Sequence, residues 1–362
     1  MHDKISILKN NLNIKKIRLI YLNLNKKKNI IKKKTKFFWK LKFIFLLCLI
    51  FFYILIFIKN YKLRNQYIFI ICMFGKDILK SNDRMRKYFF TLDKFLPHSK
   101  IILGISEFTI IEPDLFKYKN LKINIERYGN ETIQDIIRKY KGDCHFYYNG
   151  IRFSFYKDYL KNHPEIKYVV ISDDDTLFFR DPFLLIAEDP SVVHMMEDIY
   201  PFSQTNDCNY IWTNAWVSLN NSIKLKCGFK LLNNTLLSNE IKDLIPLNCG
   251  MMIGSSKNII KIAELISSRF ICSGMFPHNA EQGLLNYLDL SGEIKELGFP
   301  IHRHNIFTGS LISCPDLLPI ENFTQQINSD HLIAVHHHQS LSSDYIIKSP
   351  FSYQNVFKTT FN

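Results

Sequence analysis

The stretch Tyr168–Phe183 has the sequence YVVISDDDTLFFRDPF, in which three consecutive acids follow a short apolar run. The run Tyr168–Ser172 is typical of a buried strand. Because alternate side chains of an extended segment point the same way, we expect Asp173 and Asp175 to share one face while Asp174 points elsewhere. Adjacent carboxylates repel one another, and a divalent cation relieves that repulsion. We therefore predict a metal site at Asp173 and Asp175; the alternative is an acidic turn on the surface.

Strand-like and helix-like segments alternate ahead of this stretch. Apolar runs predict strands over Tyr67–Phe74, Lys100–Ile105 and Leu121–Ile125, and helical patterns predict helices over 81–95, 131–140 and 150–160. This alternation is typical of an α/β fold with a mostly parallel central sheet, which we assign to one catalytic domain, residues 67–350. Such sheets bind ligands beyond the carboxyl ends of their strands, which is where the acids lie.

The formal net charge of +14 is concentrated in the first 42 residues. That segment holds 14 Lys or Arg against one acid, whereas the rest of the chain holds 33 basic and 32 acidic residues. The domain after the tail is therefore nearly neutral and lacks the basic surface that nucleic-acid binding requires. We expect no nucleic-acid partner, and we assign residues 1–36 to a basic cytoplasmic tail.

An uncharged run, Phe43–Ile58, follows the basic tail. Counted from Trp39 the segment has 20 residues, which is enough to cross a hydrocarbon core about 30 Å thick. A cleaved signal peptide fits less well because the tail is long and no small-residue cleavage pattern follows. A buried core helix fits less well because the run lacks a polar face. We therefore predict a transmembrane signal-anchor over 37–58 and a short stem over 59–66.

The excess of positive charge before the anchor predicts a single-pass type II protein of the Golgi or ER membrane, with its tail in the cytoplasm and its catalytic domain in the lumen. Four Asn-x-Ser/Thr sequons lie after the anchor, at Asn130, Asn220, Asn233 and Asn322. Seven of the eight cysteines lie there as well, and an oxidising lumen permits disulfides between them.

Three segments together resemble the GT-A glycosyltransferases, a superfamily of nucleotide-diphospho-sugar transferases with a Rossmann-like catalytic domain. Ser172-Asp173-Asp174-Asp175 resembles their D-x-D motif, within a helix–strand–D-x-D–F-x-x-x-P-F unit over 150–183. Leu247–Gly254 (LNCGMMIG) resembles the N-x-G-x-x-x-G strand that borders the sugar pocket. His278–Asn286 (HNAEQGLLN) resembles the D-Q-x-x-x-N helix, with Glu281 in place of the Asp.

The resemblance implies a nucleoside-diphosphate sugar as donor and Mn²⁺ or Mg²⁺ as cofactor, with the metal bridging Asp173 and Asp175 to the diphosphate. The chain departs from the pattern near its end, where VHHHQ over 335–339 replaces the H-x-x-G-x-x-K-P-W segment of one such family. We expect the apolar strand over 332–335 to bring His336 and His338 to one side, and one of them to bind metal or diphosphate. The alternative is a surface cluster of histidines.

The segments that resemble GT-A glycosyltransferases contain further candidate site residues. Glu281 is the candidate catalytic base or sugar-facing carboxylate, and Gln282 is a candidate partner of a sugar hydroxyl; the helix dipole favours an acid in a first turn in any case. We assign donor or sugar binding to Arg152, Asp173, Asp174, Asn248 and Gly250. Arg152 could pair with phosphate, although a solvated helix-face Arg is the alternative. Gly250 could admit a sugar close to the backbone or simply pack in the sheet.

These features predict a metal-dependent hexosyltransferase that moves a sugar from a nucleoside-diphosphate donor to a glycan, glycoprotein or glycolipid acceptor in the secretory pathway. Two alternatives stay open. A metal-dependent phosphohydrolase would usually need a second metal and more carboxylates. A catalytically silent, membrane-anchored sugar-binding protein is compatible with Glu281 in place of Asp.

Overall fold

A computed structural model describes most of the chain after residue 36. The described residues are 22–23, 26–28, 32, 37–56, 58, 67–74, 78–80, 83–129, 147–198, 202, 208–232, 244–274, 280–304, 311–314 and 332–337. The chain divides into two compact units, residues 1–65 and 66–362. The predicted helix over 131–140 and the end of the predicted catalytic domain, 338–350, lie outside the described residues.

The first unit contains one long apolar helix, α1 (Phe37–Ile56). Its 20 residues span about 30 Å at about 1.5 Å per residue, which matches the hydrocarbon thickness of a bilayer. Its large apolar side chains are exposed rather than packed in a core. By length and composition α1 could serve as a membrane anchor or as a signal; the Golgi or ER location and the lumenal orientation stay predictions.

Seven strands of the second unit form its central sheet. They are β1 (Tyr67–Cys72), β3 (Lys100–Ser106), β5 (Lys122–Tyr128), β6 (Tyr168–Ser172), β8 (Val193–Glu197), β9 (Leu247–Ser255) and β10 (Ile301–His304). Their order in the sheet is β10-β8-β9-β6-β1-β3-β5. Strand β9 is antiparallel to both its neighbours, and the other pairings are parallel. The prediction of an α/β fold with a mostly parallel central sheet is confirmed.

The apolar sequences of β1 (YIFIIC) and β6 (YVVIS) fit the middle of this sheet, where strands are covered on both faces. The chain passes from β1 to β3 and β5 on one side and then returns to β6 on the other side of β1. Strands β1 and β6 therefore flank a topological switch point, the place in an open α/β sheet where ligands bind beyond the carboxyl ends.

Two smaller sheets complete the strand arrangement. Strands β2 (Ile78–Leu79) and β4 (Ile110–Ile111) pair in parallel. Strands β7 (Thr176–Phe178), β11 (Leu311–Cys314) and β12 (Ala334–His337) form a three-stranded sheet in which β12 is central. Strand β12 runs antiparallel to β7 and parallel to β11.

Seven α-helices are described in the second unit. They are α2 (Asp83–Phe95), α3 (Tyr147–Asn162), α4 (Phe183–Glu188), α5 (Cys208–Val217), α6 (Asn221–Lys226), α7 (Ser256–Ser273) and α8 (Ala280–Leu290), with short 3₁₀ turns at Pro113–Phe116 and Lys295–Leu297. The predictions of helices over 81–95 and 150–160 are confirmed: the first is described over 83–95, since residues 81–82 lie outside the described part of the chain, and the second extends at both ends. Helix α7 begins where the Ser255 hydroxyl accepts the Asn258 N–H and ends at Gly274, whose φ is 61°.

Helices α3 and α7 pack against each other beside the sheet. The closest approach is at Gly150 of α3, where a Cβ would overlap the ring of Phe270 of α7. Phe270 is only 1% exposed, so its ring has no free space into which to turn. A disulfide between Cys227 and Cys272 ties the residue after α6 to the last turn of α7.

We expect Gly150→Ala to lower the free energy of unfolding of residues 66–362 by about 1–2 kcal/mol. Overpacking in a core costs about 1–3 kcal/mol, which outweighs the gain of up to about 1 kcal/mol from helix propensity. Urea unfolding measures the change. The control is Ser154→Ala on the same helix, which removes a buried hydroxyl that has no hydrogen-bond partner among the described residues and should change little. Equal stability of the two variants would contradict the α3–α7 packing.

Candidate metal centre

Asp173–Thr176 form a tight turn between β6 and β7. The Thr176 N–H donates to the Asp173 carbonyl at 3.2 Å, and the Asp173 N–H donates to the Gly250 carbonyl at 2.9 Å. The expectation that this segment is extended is therefore wrong, because the ladder of β6 ends at Asp173 and the chain folds back at once into β7. Asp is favoured at the first position of such turns. The turn, rather than strand alternation, brings Asp173 and Asp175 together.

His336 reaches the two acids through the pairing of β12 with β7. In the register of that antiparallel pair His336 lies opposite Thr176, the residue after Asp175. Its Nε2 atom is 3.0 Å from Oδ1 of Asp175 and 3.4 Å from Oδ2 of Asp173. The three residues offer ligand atoms that all lie within 4.8 Å of one another, so this largely buried group could bind a metal ion. His338, the other predicted ligand, lies outside the described residues.

Gly250 lies directly beneath the imidazole of His336. A Cβ at Gly250 would be 2.5 Å from Nε2 of His336, which is closer than real Cβ contacts. The absence of a side chain at this position of β9 therefore makes room for the histidine. The predicted close approach of a sugar to Gly250 stays a prediction.

Arg152 of α3 connects the acidic turn to helix α8. Its guanidinium donates to Oδ1 of Asp173, and Nη2 lies 3.6 Å from Oε1 of Glu281. Arg152 and Glu281 are both buried. The alternative of a solvated helix-face Arg is therefore wrong. A contact of Arg152 with phosphate stays a prediction, and in the described structure its partners are carboxylates.

Burial and the charges of neighbouring groups shift the pKa values of this cluster in opposite directions. Burial alone would raise the pKa of Asp173, but Arg152 and His336 hold it well below its usual range. Burial lowers the pKa of His336, yet Asp175 and Asp173 raise it to about 10. Burial raises the pKa of Glu281 to about 7, with Arg152 opposing that shift. Glu281 is thus a carboxyl group that exchanges its proton near neutral pH.

A second polar network joins Asn248 and Gln282 through Asp198. The Asn248 amide donates to Oδ1 of Asp198 at 2.7 Å, and the Gln282 amide donates to Oδ2 at 3.1 Å. Oδ1 of Asn248 in turn accepts the Gly250 N–H at 2.6 Å. The structure therefore brings Asn248, Gln282 and Gly250 into one hydrogen-bond network, and their roles in donor and sugar binding stay predictions.

Two residues of this neighbourhood were missed in the sequence analysis. Asp198 directly follows strand β8 (VHMME) as Asp173 follows β6, but His194 and Glu197 interrupt the apolar pattern of β8, so its sequence gives a weaker signal. Arg84 of α2 lies 3.6 Å from Oδ2 of Asp175, and no sequence pattern pointed to it. Asp174 is half-buried in the turn, and its predicted role in donor binding stays a prediction.

No protein-family model matches this chain, and no curated protein matches it either.

We expect Gly250→Ala to weaken Mn²⁺ binding at least about tenfold, because the new methyl group displaces the His336 imidazole. Isothermal titration of residues 66–362 with Mn²⁺ measures the affinity. The control is Gly254→Ala on the same face of β9, whose Cβ would lie 3.1 Å from Val193 and away from the acids. Gly254→Ala should lower the free energy of unfolding without changing the affinity for Mn²⁺. Unchanged Mn²⁺ binding in Gly250→Ala would show that His336 is not a ligand.

Glu281 should make the stability of the protein fall as pH rises. Its folded pKa of about 7 lies above the unfolded value of about 4.5, so the folded state binds more protons between these pH values. The stability that its protonated form contributes is full below about pH 4.5 and is lost as pH rises through about 7. We expect Glu281→Gln to remove this loss, which amounts to up to about 3 kcal/mol between pH 5 and pH 8. Urea unfolding at the two pH values tests it; parallel pH trends in wild type and variant would contradict the assignment.

Proposed function

We propose that residues 67–350 form the catalytic domain of a metal-dependent glycosyltransferase of the GT-A type, which uses a nucleoside-diphosphate sugar as donor. The observation that carries this proposal is the convergence of Asp173, Asp175 and His336 at the carboxyl end of β6. That position adjoins the topological switch point between β1 and β6, where open α/β sheets bind nucleotides. A D-x-D pair in this place is what the resemblance to GT-A enzymes requires.

The ligand set favours Mn²⁺ over Mg²⁺. Two carboxylates and one imidazole supply oxygen and nitrogen together, whereas Mg²⁺ prefers oxygen ligands and water. Bound there, the ion would supply Lewis-acid stabilisation of the charge on the departing diphosphate. The side chain of Asp173 is 30% exposed, against 9% for Asp175 and 3% for His336, so the open side of the site is at Asp173. Arg152 holds that carboxylate in place from the buried side.

Glu281 and the Asp198 network suit the sugar side of the reaction. In the proposed transfer, an acceptor oxygen forms a bond to the anomeric carbon, the bond from that carbon to the diphosphate oxygen breaks, and the nucleoside diphosphate leaves with the electron pair. The acceptor proton passes to the Glu281 carboxylate, whose pKa of about 7 suits a base at neutral pH. In this proposal Asn248 and Gln282, whose amides donate to Asp198, hold sugar hydroxyls.

We also propose that α1 anchors this domain to a Golgi or ER membrane and that the domain faces the lumen. The Cys227–Cys272 disulfide supports an oxidising compartment. The basic residues before α1 support a cytoplasmic tail. The acceptor is then a glycan, glycoprotein or glycolipid of the secretory pathway.

The test is a panel of UDP- and GDP-sugars, each with and without Mn²⁺, on residues 66–362. We expect the midpoint of thermal unfolding to rise only when Mn²⁺ and one nucleotide are both present, because a ligand of the native state stabilises it by mass action. Nucleoside diphosphate should then be released from the matching donor. A midpoint shift without any release would favour the silent sugar-binding protein, and release of phosphate from simple esters would favour the phosphohydrolase.

We expect Asp175→Asn to reduce nucleoside-diphosphate release about 100-fold or more and to remove its dependence on Mn²⁺. The loss of several kcal/mol of Lewis-acid stabilisation corresponds to at least this factor. The matched control is Asp114→Asn, at an exposed acid of the Pro113–Phe116 turn, which should keep full activity. Asp175→Asn protein with wild-type turnover would eliminate the proposed metal centre.

A further inference from the structure

Three histidines meet on the edge of the central sheet, apart from the centre formed by the acidic turn. His302 and His304 are two residues apart on the edge strand β10, so their side chains lie on the same face of the sheet. His194 belongs to the neighbouring strand β8 and is the register partner of His302. The pairing of β8 with β10 thus assembles three imidazoles from two segments of the chain.

The three rings are close enough to share one ion. Nδ1 of His194 lies 2.9 Å from Nε2 of His304. The rings of His302 and His304 are stacked with centroids 4.4 Å apart, and the His194 ring is 5.6 Å and 5.2 Å from them. Each residue offers one nitrogen, and the three nitrogens lie within 4.8 Å of one another. In a tetrahedral zinc site the Zn–N distances are about 2.0–2.1 Å, so the ligand nitrogens lie about 3.3 Å from one another. Small side-chain rotations would bring the three histidine nitrogens to that spacing.

Burial keeps the His194 and His304 rings neutral. His194 and His304 are buried, and His302 is exposed. Burial, with a smaller contribution from His302, lowers the pKa of His194 to about 4, while the Leu185 backbone and Asp189 oppose the shift. Burial, followed by His194 and His302, lowers the pKa of His304 to about 3. Neutral imidazoles carry the lone pairs that metal ions bind.

We propose that His194, His302 and His304 form a second metal site, which takes Zn²⁺. Imidazole nitrogens suit Zn²⁺ and other late first-row ions, whereas Mg²⁺ and Ca²⁺ prefer oxygen. Three histidines leave one tetrahedral position for water, and the exposed side of the cluster at His302 supplies access to it. Binding would move the hydrogen that lies between His194 Nδ1 and His304 Nε2 to the other nitrogen of the donor ring, which leaves both imidazoles neutral, and the ion would tie edge strand β10 to β8. This site is independent of the nucleotide-sugar proposal, since none of its residues belongs to that centre.

The test uses the full chain in detergent and two probes, Zn²⁺ alone and Co²⁺ alone. Zinc content after dialysis gives the stoichiometry, and the visible absorption of four-coordinate Co²⁺ reports the ligand geometry. His302→Gln removes the exposed ligand with little risk to folding, and the double variant His194→Gln/His304→Gln removes the buried pair. His163→Gln is the matched control, because His163 lies near an exposed Glu165 outside the cluster.

We expect the wild type to show the four-coordinate Co²⁺ spectrum, and we expect Asp175→Asn and His163→Gln to retain it. His302→Gln should weaken Zn²⁺ binding at least about tenfold, and the double variant should lose one equivalent of zinc. The proposal is overturned if the wild type lacks that spectrum, or if His302→Gln binds Zn²⁺ with unchanged affinity. Loss of the spectrum in Asp175→Asn would also overturn it, because the signal would then come from the acidic turn.

Discussion

The burial of negative charge at the carboxyl end of β6 is the constraint on which the rest of the site depends. Asp175 and Glu281 are both inside the protein. Taking a carboxylate out of water costs several kcal/mol unless positive charge compensates for it. The fold brings that charge from three elements, with Arg152 on α3, Arg84 on α2 and His336 on β12. The positions of two helices and a late strand are thereby linked to one four-residue turn.

Local features of this arrangement could be predicted from the sequence. The apolar run Tyr168–Ser172 is a strand with the expected bounds, because its composition and its polar boundary leave no competing assignment. The helix containing Arg152 was also predicted, although its ends were not. The turn at Asp173 was wrongly expected to be extended. Whether Asp173–Asp175 continue strand β6 depends on which strand pairs with them. That pairing strand lies far away in the chain, so the sequence around the acids does not reveal it.

Long-range pairing explains what the sequence could not settle. Alternate residues of a strand point the same way, so the sequence did not distinguish His336 from His338 as the ligand. Only the register of β12 against β7 places His336 opposite Thr176. The cluster of His302 and His304 went unnoticed for a related reason. The H-x-H pattern is short, and its third member, His194, joins it only because β8 and β10 are neighbours in the sheet.

The pairing of β7 with β12 also has a consequence for how the protein is made. Residues 179–333, which are 155 residues, separate the two strands, and the chain between them must close before the pair can form. Strands β1, β3, β5 and β6 are all synthesised before β12, and N-terminal segments generally fold first as the chain emerges from the ribosome. We expect a nascent chain to hold its acidic turn without the imidazole that completes it. The ability to retain a divalent ion would then appear only after β12 has been made, so that a chain terminated before β12 would keep much of its sheet and lack the proposed metal centre.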